Sequence, residues 1–139
     1  MKYFTIKELT SSDTAKKLKI DNTPSEEIIE KLIFFVEEYL DPIREAWGSP
    51  IIITSGYRCP KLNDAVNGSK TSSHKDAEAV DMKPKNGKRL EFHNFVLNWL
   101  LETGKPYDQL INEKPKNKIP SWTHLGIGKK MRHQNLILK

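Results

Sequence analysis

Between Ile28 and Ile43 the apolar residues Ile28, Leu32, Phe35, Val36, Tyr39, Leu40 and Ile43 recur at intervals of three and four, the spacing that puts them on one face of an α-helix. Thr23-Pro24-Ser25-Glu26 precedes the run as a capped start: Thr as N-cap, Pro at the first helical position and Glu at the third. Gly48-Ser49-Pro50 ends it. The spacing predicts one long amphipathic helix reaching to about Ala46. A helix with a single apolar stripe must bury that stripe against another layer.

The rest of the chain supplies that layer. Ile51-Ile52-Ile53-Thr54 is a β-branched run that reads as a buried strand. Glu78 to Met82 alternates as a short half-buried strand does, with Glu78, Val80 and Met82 on one face and Ala79 and Asp81 on the other. Further strands are expected near 108–113, 122–127 and 135–138, a short helix from Pro60 to Val66 ending at Asn67-Gly68, and a second major helix from Leu90 to Leu101 closed by Gly104 and Pro106. Helices with a small, largely antiparallel sheet make an α+β fold. With 139 residues and 37% hydrophobic content the chain buries one core, so residues 1–139 are expected to form a single domain.

The chemistry sits in Ser72-Ser73-His74-Lys75-Asp76-Ala77-Glu78-Ala79-Val80-Asp81 and in Trp122-Thr123-His124. Two imidazoles and a carboxylate are the donor set of a hydrolytic zinc site with one open corner. The gap between His74 and Asp81 does not fit the one-turn helical placement of an HExxH site, so a loop and a strand must carry them. By spacing alone, a surface loop and a capping carboxylate are the commoner explanation of such residues.

These segments resemble the zinc-dependent D-Ala-D-Ala peptidases, the M15 peptidase class. Ser72, His74, Ala79 and Asp81 match the SxHxxGxAxD signature, Trp122-Thr123-His124 is similar to the WxH segment, and Ser55-Gly56-Tyr57-Arg58 matches a third motif. Phe4 to Leu9, Asp21 to Pro24, Leu62-Asn63 and Tyr107 to Ile111 also look like the small M15A branch. The resemblance implies a DD-peptidase/hedgehog-like fold, zinc held by His74, Asp81 and His124, a substrate-binding or polarising role for Arg58, and a substrate contact for Ser72. It also implies action on a peptide bond of the peptidoglycan stem: D-Ala-D-Ala as in a carboxypeptidase, or L-Ala-D-Glu as in an endolysin. The rival reading is a non-catalytic zinc-bound module that binds the wall or builds a virion.

Two positions depart from the family pattern. Ala77 stands where the motif has glycine, and alanine is strained if the backbone there takes a positive φ. Ser121 stands where many relatives carry an acidic base three residues before the last histidine, and serine is no base near neutral pH. If Ile111 lies opposite His124, Glu113 shares the face of His124 and is a candidate base; a one-residue slip reverses this and leaves a solvated strand-end carboxylate. Arg58 offers a permanently charged planar fork for a peptide carboxylate or an oxyanion, and is otherwise a surface arginine.

The remaining residues point elsewhere. His93 falls at packing intervals from Leu90 and Leu97 within its helix, and His133 sits in a basic tail as a solvated side chain. Cys59 is the only cysteine, so no intrachain disulfide forms. Trp122 is expected as a packing wall behind the ligand strand. The net charge of +5 comes from lysines spread along the chain with no base-reading motif, which argues against nucleic acid. The Lys114-Pro115-Lys116-Asn117-Lys118 and Lys129 to Arg132 clusters are read as attraction to an anionic envelope polymer or as soluble loops. No run approaches the roughly twenty apolar residues that span a bilayer, and the first residues lack a signal-type apolar core. The expectation is synthesis in the cytoplasm and action at the wall after lysis or delivery, as for a phage-encoded protein; nothing in the residues sets an oligomeric state.

Overall fold

The computed structural model describes residues 1–139. Helices α1 (Ile6–Thr10) and α2 (Asp13–Leu18) come first, then α3 (Glu26–Phe35), a π-helical turn (Val36–Leu40) and α4 (Asp41–Trp47). Strand β1 (Ile51–Ser55), helix α5 (Pro60–Ala65), a 3-10 turn (Ser73–Asp76), β2 (Ala79–Pro84), α6 (Arg89–Thr103), β3 (Gln109–Glu113), β4 (Trp122–Gly126) and β5 (Gln134–Leu138) follow. The sheet order is β1-β2-β4-β3-β5, antiparallel throughout except for the parallel β3–β5 pair. This is an α+β architecture, as expected.

The long helix runs in three parts without leaving the helical path. Pro42 has no N–H to bond four residues back, and its ring crowds that carbonyl. The turn ahead of it is widened to π geometry, with the Asp41 N–H reaching back to Val36 O. The helix starts at Glu26 with Ser25 as its cap, the hydroxyl accepting from Ile28 N at 3.3 Å. The expected Thr23 cap is replaced because Thr23 N donates to Asp21 Oδ1 at 3.0 Å, a local turn that delays the helix. Leu32, Phe35, Val36, Tyr39, Leu40 and Ile43 are all buried, each contributing about 1.5–3 kcal/mol of burial.

This stripe and that of α6 (Phe92, Val96, Leu100) cover one face of the sheet, meeting Val80, Met82, Leu110 and Leu125. The edge of the Trp47 ring meets Phe92 with centroids 5.3 Å apart, and Tyr39 OH donates to Pro106 O at 2.5 Å. His93 lies on this helix side, half-buried, with Nδ1 3.0 Å from Thr123 Oγ1.

Two strand environments differ from expectation. β1 is an edge strand rather than a buried one, and Ile52 is 40% exposed, because only β2 pairs with it. β2 is buried on both faces rather than half-buried, since it lies between β1 and β4 with helices on one side and the His74 loop on the other. The face of β2 away from the helices therefore holds Asp81 inside the protein. No helix is long and apolar enough to cross a membrane.

Candidate metal centre

Adjacent strands place two of the three donors. Asp81 on β2 pairs directly with His124 on β4, and His124 pairs in turn with Ile111 on β3. Opposed residues in a sheet share a face, so Asp81, His124 and Ile111 form one row. Trp122, two residues before His124, pairs with Glu113, so these two lie on the same face one step along. Trp122 is thus beside the ligands, and not a wall behind them.

The third donor arrives on the 3-10 turn. Ser72 Oγ accepts from His74 N at 3.2 Å and caps the turn. Ala77 closes it in the left-handed region, φ 57° and ψ 33°, and is buried. The chain therefore carries at this position the strain that glycine would avoid, about 1–2 kcal/mol. His74 Nδ1 lies 2.8 Å from Gly56 O. With Nδ1–H donated to that carbonyl, Nε2 keeps its lone pair, the arrangement by which outer partners orient a metal-binding imidazole.

A loop anchored on three sides holds Gly56 and Arg58. A Cβ at Gly56 would overlap the Leu9 carbonyl, so only glycine lets the exit of β1 pass α1, where Tyr57 N donates to Leu9 O at 2.7 Å. Arg58 N donates to His74 O at 3.0 Å. Buried Asn22 donates to Thr10 O (2.9 Å) and Tyr57 O (3.0 Å) and accepts from Cys59 N (2.8 Å). Buried Asn63 accepts from Arg58 Nη1 at 3.2 Å and donates to Ser69 O at 2.9 Å. Asn22 and Asn63 are the functional supports that composition and periodicity did not single out, because their partners come from distant segments.

His74, Asp81 and His124 offer donor atoms that all lie within 4.8 Å of one another. Asp81 Oδ2 is 3.4 Å from His74 Nε2, and Asp81 Oδ1 is 2.9 Å from His124 Nδ1. A tetrahedral ion with bonds of about 2.0–2.1 Å sets its donors roughly 3.3–3.4 Å apart; the separation of Asp81 Oδ2 and His74 Nε2 already has that length, and the hydrogen bond between Asp81 Oδ1 and His124 Nδ1 must open for that nitrogen to bind an ion. Burial pushes the Asp81 carboxyl upward, but the hydrogen bonds from His124 and His74 and their charges outweigh it and hold the group well below the usual carboxylate range. An ionised buried carboxylate between two imidazoles is a donor set chemically suited to a divalent ion.

Arg58 and Glu113 flank the cluster. Arg58 Nη2 stands 3.9 Å from Asp81 Oδ2, close enough for attraction and too far for a hydrogen bond. Burial lowers the Arg58 pKa, opposed by the charges of Asp81 and Glu113. Burial raises the Glu113 pKa, the Asp81 charge adds to this, and His124, Lys114 and Arg58 oppose it. Glu113 therefore shares the electrostatic field of the cluster. Ser121 is occupied structurally: its Oγ donates to Lys114 O at 2.7 Å.

The other residues of interest lie apart. Cys59 is half-buried, and its sulfur caps α5 by accepting from Leu62 N at 3.4 Å. His133 is exposed, its ring 4.7 Å from that of Tyr107. Arg132 is no free basic side chain, because its Nε and Nη2 donate to Asp108 at 2.7 and 3.1 Å.

A comparison with curated proteins finds no match. The family model described as Peptidase M15 matches residues 2–111, a span that takes in Arg58, His74 and Asp81 and ends on β3 ahead of His124. With four fifths of its length matched and a largely buried His-Asp-His cluster against one face of its sheet, the chain belongs to the Peptidase M15 family.

Proposed function

We propose that this chain is a zinc-dependent peptidase hydrolysing a peptide bond of the peptidoglycan stem, either D-Ala-D-Ala or L-Ala-D-Glu. The observation that carries the reading is the convergence of His74, Asp81 and His124 within 4.8 Å in a family of peptidases. Zinc held there supplies a Lewis acid for the scissile carbonyl and lowers the pKa of water. His74 keeps a fixed tautomer through the Gly56 carbonyl, so its donor nitrogen needs no reorganisation. Arg58, braced by Asn63, turns its remaining N–H groups to the substrate carbonyl or carboxylate.

Glu113 is the proton carrier of this reading. Its carboxylate makes no hydrogen bond or ion pair within the protein, it lies on the face of His124, and its raised pKa brings it nearer to neutrality, where a base is most effective. It takes the proton from the attacking water and delivers it to the leaving amine. Ser121, held by the Lys114 carbonyl, leaves that task to Glu113.

The test is incubation of the zinc-loaded protein with defined muropeptides and identification of the products by mass. Loss of terminal D-Ala names a carboxypeptidase, and separation of L-Ala from D-Glu names an endopeptidase. Intact muropeptides after prolonged incubation would leave only a zinc-bound wall-binding module.

A further inference from the structure

Beside the cluster lies an open groove of about 500 Å3 whose wall includes Arg58, Asp81, Lys83, Lys114 and Trp122. The strand register explains this company. Asp81 and Lys83 are two apart on β2 and share a face. The β2–β4 ladder pairs Asp81 with His124 and Met82 with Thr123, so one further step brings Lys83 alongside Trp122. A second row of side chains, Lys83, Trp122 and Glu113, thus runs next to the metal row at a distance of about 7 Å along the strands. A peptide crossing the metal row meets this one next.

Arg58 is engaged by Asn63 and Asp81, which leaves Lys83 and Lys114 as the other cations of the groove. Neither Lys83 nor Lys114 forms an ion pair with an acid of the chain, whereas Asp81 is already shared between His74 and His124. Asp13 is the other carboxylate on the wall, and Glu113, kept for proton transfer, stands in the same row and feels the Lys114 charge without forming an ion pair with it. Lys114 is also held in an unfavourable backbone state, φ 44°, by Lys114 N donating to Leu138 O (2.6 Å) and Ser121 Oγ donating to Lys114 O (2.7 Å). Its side chain is exposed, and its ammonium stands 5.6 Å from the Trp122 ring centroid, over the aromatic face.

We infer that Lys83, Lys114 and Trp122 form a carboxylate-selecting subsite, in which the two ammonium groups receive the free carboxylate of the residue that follows the scissile bond while the indole packs on the adjacent aliphatic atoms. The inference rests on the proposed action on stem peptides and names a feature of the substrate: a D-Glu within a peptide chain is linked through one carboxyl and presents a second. Lys83 and Lys114 select for that second group in its charged form. They are specificity residues, and proton transfer does not involve them.

The experiment uses the zinc-loaded full chain and the tripeptide L-Ala-D-Glu-L-Lys with its first amide reduced to CH2–NH, so that this bond cannot be hydrolysed. Two versions are compared by calorimetry, one with the free D-Glu carboxyl and one with the amidated group. The wild-type chain is expected to bind the free carboxyl about tenfold more tightly at low salt. The doubly substituted Lys83→Met, Lys114→Met chain is expected to bind both alike, at the affinity of the amidated peptide. Equal binding by the wild-type chain, or a preference that survives in the double variant, overturns the subsite. A uniform loss with both peptides assigns the lysines a structural part and overturns it too. Cleavage of the unreduced peptides is scored separately by mass: selective binding without cleavage sinks the peptidase reading and leaves the subsite standing.

Discussion

Asp81 and His124 face each other directly across the β2–β4 ladder, carboxylate oxygen to imidazole nitrogen at 2.9 Å. Two donors of the cluster are therefore fixed by backbone hydrogen bonding between neighbouring strands, and only His74 depends on a loop. The loop is in turn tied to β1 through the Gly56 carbonyl. Substituting Asp81→Asn keeps the shape and removes the charge, so zinc content should fall at least tenfold in metal analysis of the purified protein while the far-UV circular dichroism stays native. Undiminished zinc in this variant contradicts the assignment of Asp81 as a donor.

Glu113→Gln should retain zinc and lose about 10²–10⁴ in kcat, the usual contribution of a positioned base. Turnover of muropeptides and metal content measured on the same preparation check this. Full zinc with undiminished turnover removes Glu113 from the mechanism.

Arg58→Lys keeps a positive charge but loses the planar fork and the bond to Asn63. Zinc should stay, and kcat/KM should drop by about 10²–10³, the cost of one oxyanion donor. Asn63→Ala, which leaves Arg58 without its brace, should show a milder loss in the same assay.

Ala77→Gly relieves a left-handed backbone at a cost of about 1–2 kcal/mol while removing a buried methyl worth about 0.8 kcal/mol. Urea unfolding should show a net gain of up to about 1 kcal/mol with zinc binding unchanged. A loss of more than 1 kcal/mol would mean that the packing of this methyl in the core outweighs the strain.

The Asp108–Arg132 pair sets an acid limit. The hydrogen bond from Arg132 lowers the Asp108 pKa, against the effect of burial. A carboxylate whose pKa is lower in the fold stabilises fully above its unfolded value of about 3.9 and loses that contribution as pH falls through the folded value. Arg132 is 41% exposed, which weakens the pair; Asp108→Asn should cost about 1–2 kcal/mol at pH 7. Unfolding free energies of the two proteins should converge as pH falls below the lowered folded value of Asp108.

The site was more legible than its supports. Donor types made His74, Asp81 and His124 candidates and the resemblance to the M15 peptidases singled them out; the pairing of Ile111 with His124, on which the placement of Glu113 depends, is the pairing of the sheet. The alternation along Glu78 to Met82 gave the face of Asp81 but not its burial, because the second cover of β2 is the preceding turn that carries His74, and its folding back over the strand leaves no trace in the alternation. Ile51 to Ile53 reads the same in an edge strand as in a central one, since β-branched side chains suit both. The apolar period from Ile28 to Ile43 continues through Pro42, so it hides the π turn that accommodates the proline. Helix α1 is five residues long and carries one buried side chain, too few for periodicity. Its Thr5–Glu8 capping box, which the apolar spacing does not reveal, forms both of its hydrogen bonds at 3.2 Å. Asn22 and Asn63 lie in segments that look like the family's, but their bracing role left no periodicity to read, since it rests on bonds to Thr10, Tyr57, Cys59, Arg58 and Ser69 that only the fold brings together.

A crystal of the protein soaked in zinc and recorded at the zinc absorption edge tests the metal centre most directly. One anomalous peak should lie among His74 Nε2, Asp81 and His124 Nδ1, with bonds near 2.0–2.2 Å and a fourth position open toward Arg58 and Glu113. No peak at that point, or a peak held by other side chains, would contradict the zinc site and the peptidase chemistry built on it.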